Sequence, residues 1–444
     1  METWVAEFVL LLMVTLAVTS ILGSPFKELG SFNAENPSFL YLGREYHAGQ
    51  TGHNWTLLVS SFSGNPFAKD GVYIARNIQQ LLFSSTSQIQ LSEVSNRVVW
   101  PNEFRLVPEG VFPGSDIASA STGFLVPGKT KGSVSLFDLG ANPITGPHVI
   151  TSTSSSWFYH KIIWHDMNGD GRMDILTARA DKPLLGSTKA ELLWLEQPES
   201  NPLDSIWQEH SLLEGGPDVF FILVNITNAA GQRAPYLLCA NYFGKELQLV
   251  WPLFDSSTGH VDWSPSSLRT RKIDTLDAPF ALHTVDANAD GRLDLAVTVN
   301  NEKNGSVRFY EIPADLTNDT VPWPMHIVST GYHALKESIG RGAPGSIFPL
   351  CLPNGQLLEN GSCSRSSPAS AAAARPSFVM SGDDGGNVYL FSPTAEDWKY
   401  DREVILNVDG TVGQLAIASI DSEQHPYQVF VPDYNGQKIH ILST

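Results

Sequence analysis

Two nine-residue segments carry acidic and amide side chains at alternating positions. Residues 166–174 read Asp-Met-Asn-Gly-Asp-Gly-Arg-Met-Asp, and residues 286–294 read Asp-Ala-Asn-Ala-Asp-Gly-Arg-Leu-Asp. Side chains at positions one, three and five can converge on one point, since the glycine at position six permits a sharp turn. Position seven offers a backbone carbonyl and position nine completes the set. Ca²⁺ prefers about six to eight such oxygen ligands, so we predict one Ca²⁺ in each segment.

The predicted ligands are side-chain oxygens from Asp and Asn and one carbonyl from each segment. They are Asp166, Asn168, Asp170, Asp174 and the Arg172 carbonyl, then Asp286, Asn288, Asp290, Asp294 and the Arg292 carbonyl. An EF-hand would place Glu at position twelve between two helices, but Thr177 and Val297 stand there within apolar strands. The other alternative is an Asx-rich turn without metal. Three neighbouring carboxylates repel one another, which favours the cation, and we expect it to be structural.

One unit recurs along the chain and must position these segments. An apolar strand, a turn containing Gly or Asn, and a second apolar strand begin near residues 57, 116, 174, 236, 294, 377 and 427. Further apolar stretches flank the paired strands, as in residues 160–165 and 325–328. Four strands per repeat are typical of a propeller blade, so we predict an all-β, seven-bladed β-propeller with about four antiparallel strands per blade. Two packed β-sandwiches are the alternative.

The last repeat ends at Thr444, which leaves no room for its fourth strand. Unpaired strand edges invite aggregation, so an N-terminal segment should complete the blade. We predict that Ser38–Leu42 does so. Residues 24–444 are then one propeller, and residues 349–376 are a surface insertion in the sixth blade.

The two acidic segments and the strands that follow them closely resemble FG-GAP/VCBS repeats, the repeats that also build the N-terminal propeller of integrin α-subunits. The resemblance continues through Glu191–Glu199 and Trp207–His210. It implies a propeller fold for nearly the whole chain, whereas the full calcium motif covers two of the seven repeats. Some propellers of this type resemble the scaffold of sugar lyases and dehydratases, but fold alone does not determine function.

The N-terminus and the composition bear on the compartment. The apolar run from Phe8 to Leu22 has the length of a signal-peptide core, which predicts cleavage near residue 23 and secretion, with a signal anchor as the alternative. Five Asn-x-Ser/Thr sequons begin at Asn54, Asn225, Asn304, Asn318 and Asn360, which predicts a glycoprotein. The net charge of −18 argues against nucleic acid. No later segment is long and apolar enough to span a membrane.

Three cysteines suit an oxidising compartment. Cys351 and Cys363 flank a turn-rich loop and are predicted to form a disulfide, while Cys239 lies in an apolar strand and should be buried and unpaired.

Catalysis has weaker support in the sequence. His160, His283 and His333 fall on candidate first strands, which line the channel of a propeller. No nucleophile elbow, phosphate loop or HExxH motif is present. We therefore expect a non-enzymatic extracellular module that binds a glycan or a protein. The alternative is a carbohydrate-active enzyme, of lyase or dehydratase type, that uses the central channel.

Removal of calcium tests the metal prediction. Because metal binding to the folded state stabilises that state, EDTA should lower the melting temperature, and mass spectrometry of the native protein should find two Ca²⁺. An unchanged melting curve together with a calcium-free mass would contradict the prediction.

Overall fold

A computed structural model describes residues 24–45, 54–152, 156–183, 186–229, 231–255, 257–336, 341–352, 355, 357–358, 361–364, 375–420 and 426–444. The predicted signal peptide lies outside these ranges, as do Asn360 and most of the predicted insertion. The described part of the chain contains no helix with the length and hydropathy needed for a membrane crossing.

The chain forms seven four-stranded antiparallel sheets arranged as a seven-bladed β-propeller, as predicted. Blade 1 contains β2 (Pro37–Glu45), β3 (Asn54–Ser61), β4 (Gly71–Ala75) and β5 (Ser92–Ser95). Blade 2 contains β6 (Pro101–Leu106), β7 (Ile117–Thr122), β8 (Val134–Asp138) and β9 (Thr145–Val149). Blade 3 contains β10 (Phe158–His165), β11 (Asp174–Asp181), β12 (Lys189–Glu196) and β13 (Gln208–Glu214).

Blade 4 contains β14 (Phe220–Thr227), β15 (Arg233–Asn241), β16 (Glu246–Trp251) and β19 (Arg269–Thr275). A separate hairpin, β17 (Leu253–Asp255) with β18 (His260–Asp262), precedes β19. Blade 5 contains β20 (Pro279–Val285), β21 (Asp294–Val299), β22 (Gly305–Glu311) and β23 (Met325–Tyr332). Blade 6 contains β24 (Ile347–Leu350), β25 (Ser377–Ser381), β26 (Asn387–Pro393) and β27 (Tyr400–Asn407). The regular helices in the described residues are two 3₁₀ turns, Ile78–Gln80 and Thr86–Gln88.

Blade 7 joins the two ends of the chain. Its strands are β28 (Ala416–Ala418), β29 (Gln428–Asp433), β30 (Lys438–Ser443) and, outermost, β1 (Lys27–Asn33). Closure by an N-terminal strand therefore occurs, but the prediction that Ser38–Leu42 supplies it is wrong. Those residues lie in β2, which pairs with β3. The closing strand was missed because an outermost strand is half exposed, so β1 lacks the apolar signature of the inner strands.

The repeats found in the sequence are the second and third strands of every blade. These strands are almost continuously buried, as in β21 and β25, because each sheet packs between two neighbouring sheets and its central strands are covered on both faces. Adjacent inner strands contact each other around the channel, as β6 does with β2 and β10.

The disulfide between Cys351 and Cys363 is present, with a Cα–Cα distance of 5.4 Å, and confirms the predicted pairing. Cys239 is buried in β15 without a disulfide partner, as predicted.

Packing at the seam gives a test of ring closure. Phe32 of β1 is 3% exposed and packs in a core cluster with Ile439 and Ile441 of β30. Truncation of a buried Phe to Ala typically costs about 3–5 kcal/mol, so Phe32→Ala should lower the free energy of unfolding by that amount in urea. Phe67→Ala, at a residue that is 93% exposed, is the matched control and should change it by less than about 0.5 kcal/mol. Equal effects of the two variants would contradict a contribution of Phe32, and so of the β1–β30 junction, to the free energy of unfolding.

Candidate active site in the central channel

Three neighbouring inner strands bring charged side chains together inside the ring. Glu103 and Arg105 lie on β6, Lys161 lies on β10, and Tyr41 lies on β2. Lys161 Nζ donates to Glu103 Oε1 at 2.8 Å, Arg105 Nη1 donates to the same oxygen at 3.2 Å, and the Ile162 amide donates to Glu103 Oε2 at 2.6 Å. We call Tyr41, Glu103, Arg105, His160 and Lys161 the channel cluster.

A β-bulge in β10 aims two consecutive residues of this strand into the cluster. The pairing with β11 shifts register between Tyr159 and Lys161, so His160 is the extra residue. Consecutive side chains of a regular strand point to opposite faces, and a bulge changes that direction. His160 and Lys161 are accordingly both partly exposed. The inner strands β2 and β6 carry bulges at the corresponding place near their first residues.

Burial sets the protonation states in the cluster. It lowers the pKa of His160 to about 4, although Glu103 raises it, so the imidazole is neutral at pH 7. Neither ring nitrogen of His160 has a hydrogen-bond partner among the described residues. Burial opposes ionisation of Glu103, but Lys161, Arg105 and the Ile162 amide outweigh it and the pKa is lowered. Burial, with Glu103 adding to it, raises the pKa of Tyr41 well above its usual range. The cluster thus holds a neutral base, a neutral phenol and a carboxylate neutralised by two cations.

Aromatic rings surround part of the channel mouth on the face where the inner strands begin. They come from blades 1 to 5 and touch in sequence: Phe39, Phe62, Trp100, Phe124, Phe158, Phe243, Tyr242 and Phe280. All but Phe158 are partly exposed. The Phe39 ring lies 6.1 Å from the His160 ring, centroid to centroid. This set, the aromatic arc, therefore adjoins the channel cluster.

Trp100 is the best anchored member of the arc. Its ring stacks on Phe62 at 4.2 Å and on Phe124 at 5.2 Å. Its backbone adopts a left-handed φ of 44°, and its amide donates to Asp70 Oδ2 at 2.7 Å. Asp70 in turn forms a buried ion pair with Lys129, with an Nζ–Oδ1 distance of 2.6 Å. The ion pair therefore holds an unfavourable backbone conformation that presents the indole to the mouth.

A polar group continues the arc on the side of blades 5 and 6. The Tyr242 hydroxyl donates to Asn300 Oδ1 at 3.4 Å, and Asn300 Nδ2 donates to Asp383 Oδ2 at 3.1 Å. Burial, reinforced by the neighbouring Asp384, raises the pKa of Asp383 well above its usual range. Asn300 therefore links Tyr242 of the arc to a buried carboxyl group of blade 6.

The other two candidate histidines do not join the channel cluster. His283 lies on the inner strand β20 and lines a cavity of about 450 Å³ with Phe348, Ile417 and Tyr427, on the side of blades 5 to 7. His333 is exposed and follows β23, the outermost strand of blade 5, so its predicted placement on a first strand is wrong. His333 lies in the connection from β23 to β24, outside both strands.

The predicted metal loops lie at the opposite face, between the first and second strands of blades 3 and 5. Asp166 accepts hydrogen bonds from the amides of Gly169, Asp170 and Gly171 at 2.7, 3.2 and 2.9 Å. Asp174 accepts from the amides of Met167 and Gln197. These bonds close each loop as a compact turn that places Asn168 and Asp170 beside Asp166.

The second loop repeats this arrangement. Asp286 accepts from the amides of Asp290 and Gly291, and Asp294 accepts from the amide of Ala287. Burial raises the pKa of Asp294 to about 8, and the nearby Asp290, Asp286 and Glu311 add to this. The crowded carboxylates therefore oppose the ionisation of Asp294. The side chains of Arg172 and Arg292 reach Asp170 and Asp290, respectively. Among the described residues, however, no three His, Cys, Asp or Glu side chains are grouped closely enough to hold a metal.

Sequence reasoning missed most of the channel cluster. Residues 101–106, Pro-Asn-Glu-Phe-Arg-Leu, alternate charged and apolar side chains and so look like a strand with one face in solvent. The position of this segment in the chain could have identified it. It directly precedes the second repeat, which makes it the inner strand of that blade.

Comparisons with known proteins bear on the fold. No protein-family model matches the chain, and no curated protein sequence matches it. The similar solved structures include two glucose dehydrogenases, each at 80% coverage of this chain and 98% of its own, with identities of 10% and 11% and TM-scores of 0.39 and 0.41. A soluble aldose sugar dehydrogenase from Escherichia coli matches over 78% of this chain and 96% of its own, at 10% identity and a TM-score of 0.39.

The expectation of a non-enzymatic binding module is wrong, and so is the judgement that the chain is more likely not an enzyme. The similar solved structures are enzymes, and His160 converges with a carboxylate and two cations in the channel. The sequence missed this because the residues involved come from three different blades. The likeness to those structures is one of fold alone, so their substrates are not transferred to this chain.

The anchor of Trp100 is open to a direct test. Lys129→Met removes one partner of a buried ion pair and leaves Asp70 uncompensated, which typically costs about 3–5 kcal/mol. Urea unfolding should show that loss. The matched control is Lys69→Met, because Lys69 precedes Asp70 and is exposed; it should change stability by less than about 0.5 kcal/mol. A Lys129→Met protein as stable as the wild type would contradict the assigned role.

Proposed function

We propose that the protein is a carbohydrate-active enzyme of lyase or dehydratase type that works at the mouth of its central channel. The observation that carries this proposal is the channel cluster, in which a neutral imidazole without a described hydrogen-bond partner and a phenol both lie near the ion-paired carboxylate of Glu103. General acid–base chemistry requires such a base and acid within reach of one substrate.

The protonation states favour elimination over glycoside hydrolysis. Hydrolysis generally uses two carboxyl groups, one of them protonated to act as an acid. The channel cluster has one carboxylate, Glu103, and the ion pairs with Lys161 and Arg105 keep it ionised. His160 can instead accept a proton from a carbon atom of the substrate. Tyr41 can donate a proton to the oxygen that leaves.

The aromatic arc supports a carbohydrate as the substrate. Sugar rings present apolar C–H faces that pack on aromatic faces, and partly exposed aromatic side chains offer large contact areas at low entropic cost. The partly exposed rings of the arc present such apolar area at the mouth. Since Phe39 links the arc to His160, a sugar held on the arc would place its neighbouring unit over the channel cluster.

The calcium loops are proposed to serve the scaffold. They lie at the face opposite the arc, so bound Ca²⁺ would brace the turns of blades 3 and 5 without touching the substrate. We also keep the assignment of the repeats to the FG-GAP/VCBS type as part of this proposal. The same holds for export through the secretory route, which the disulfide between Cys351 and Cys363 and the predicted signal peptide support.

Replacement of His160 tests the proposed chemistry. On an oligosaccharide that the wild type converts, His160→Gln should lower kcat by about 10²–10⁴-fold, the usual contribution of a general base. The control His333→Gln, at an exposed histidine, should retain wild-type kcat. Equal rates for the two variants would overturn the assignment of His160.

The pH profile is an independent readout of the same residue. His160 acts when neutral, and its pKa of about 4 implies that kcat/KM stays level as the pH falls from 7 toward 5 and then declines through about pH 4. The charged neighbours that set this value are Glu103, which raises the pKa, and Lys161, which lowers it. A decline centred near the ordinary histidine pKa of about 6.5 would contradict a buried, neutral His160.

A further inference from the structure

The charges in the channel cluster do not cancel. Glu103 contributes one negative charge, while Arg105 and Lys161 contribute two positive charges, and His160 and Tyr41 are neutral. One positive charge therefore remains within the channel cluster of a chain whose net charge is −18. An excess charge in a confined site with low-dielectric walls attracts and orients a ligand of the opposite sign.

The two cations differ in how accessible they are. The side chain of Lys161 is 13% exposed and that of Glu103 is 1% exposed, whereas the side chain of Arg105 is 41% exposed. Lys161 Nζ and the Ile162 amide already donate hydrogen bonds to Glu103, at 2.8 and 2.6 Å. Arg105 adds one longer bond of 3.2 Å through Nη1. Its remaining N–H groups make no hydrogen bond to the described residues that would occupy the guanidinium fork.

A guanidinium with an open fork selects its ligand by shape as well as charge. It binds planar carboxylates through two parallel hydrogen bonds, and it keeps its charge at every pH at which proteins fold. The ring of Tyr41 lies beside it, 6.0 Å from the Arg105 Cζ. Because Arg105 pairs with Glu103 and lies beside Tyr41, a carboxylate bound to it would lie within the channel cluster.

We propose that Arg105 determines specificity for acidic sugars, and that the substrate carries a carboxylate on the same carbon whose C–H bond is broken. This inference rests on the proposed function and names its substrate class: uronic acid units in an oligosaccharide or polysaccharide. Pairing with Arg105 makes the proton on that carbon more acidic, because it stabilises the negative charge that develops on the carboxylate.

The step balances without an oxidant or a further reactant. His160 takes the proton from the carbon that bears the carboxylate, and the electron pair of that C–H bond forms a carbon–carbon double bond. The bond from the adjacent carbon to its glycosidic oxygen breaks, and this oxygen takes the proton of the Tyr41 hydroxyl. Proton transfer from the imidazolium to the phenolate, directly or through water, restores both residues. The products are an unsaturated uronate and a sugar with a free hydroxyl.

The experiment compares matched acidic and neutral sugars on the full-length protein. Oligogalacturonate and oligoglucuronate are paired with oligomers of galactose and glucose. Turnover is followed by the ultraviolet absorbance of the unsaturated acid and by mass spectrometry of the products. We expect turnover of at least one acidic oligomer and of neither neutral one. Arg105→Gln should reduce kcat/KM on the acidic oligomer by about 10–100-fold, in line with the loss of a charge-assisted pair.

Two further variants distinguish loss of carboxylate recognition from loss of a positive charge in general. Arg105→Lys keeps the charge and the pairing with Glu103 but removes the fork, so it should recover part of the activity. Lys272→Gln removes the same charge from the exposed position 272 on the outermost strand of blade 4 and should behave as the wild type. In Arg105→Gln, Lys161 still neutralises the buried Glu103, so the variant should melt close to the wild type.

The outcomes separate the two proposals. Turnover of neutral oligomers at rates that Arg105→Gln leaves unchanged would overturn the acidic-sugar inference and keep the proposed function. If no sugar is converted, the proposed function fails, and calorimetry with methyl galacturonate and methyl galactoside then decides the inference. Preferential binding of the galacturonate that is lost in Arg105→Gln supports it, and equal or absent binding overturns it.

Discussion

The hydrogen-bonded pairing of β1 with β30 is the constraint on which the ring depends. Each blade packs its two faces against its neighbours, so a ring with one open seam would expose two sheet faces and the edge of β30. The register places Phe32 opposite Ile439 and so fills the core at the seam. A second connection lies closer to the axis, where the amide of Leu40 donates to the Gln414 carbonyl and the amide of Gln414 donates to the Ser38 carbonyl, at 3.1 and 3.0 Å. These bonds fix the inner strand of blade 1, and with it Tyr41.

Once the ring is closed, burial decides the chemistry of the residues that it encloses. The surrounding protein disfavours charge, so a buried ion needs a partner at close range. Glu103 meets that requirement with two cations and a backbone amide, and Asp70 meets it with Lys129. Among the described residues, no carboxylate forms an ion pair with His160, and burial holds it neutral instead. The same environment thus yields a neutral imidazole and, paired with Glu103, a partly exposed guanidinium.

The two faces of the ring have different proposed functions. One face carries the aromatic arc and opens onto the channel cluster, which suits recognition of a sugar. The opposite face carries the acidic loops, in which Asp166 and Asp286 organise tight turns through backbone amides. Both faces use buried carboxylates to hold irregular backbone. Asp70 has a lysine as its counterion, whereas in the loops Arg172 and Arg292 lie near Asp170 and Asp290. A cation in the loops would supply the missing charge.

The amino-acid sequence by itself determined the architecture, because that information is local and repeated. The second and third strands of each blade are covered on both faces, so their residues are uniformly apolar and recur seven times. The loops at 166–174 and 286–294 were also visible, since each is contained in nine consecutive residues, and the disulfide joins cysteines twelve residues apart. The closing strand was not identifiable, because β1 is outermost and only half buried.

The channel cluster was decided by tertiary structure alone. Its residues are separated by up to 120 positions, from Tyr41 to Lys161, and they meet only when blades 1, 2 and 3 are side by side. The pKa of His160 and the charge balance around Arg105 depend on this packing of blades, because desolvation and neighbouring charges exist only in the folded channel. No single segment of the chain contains them.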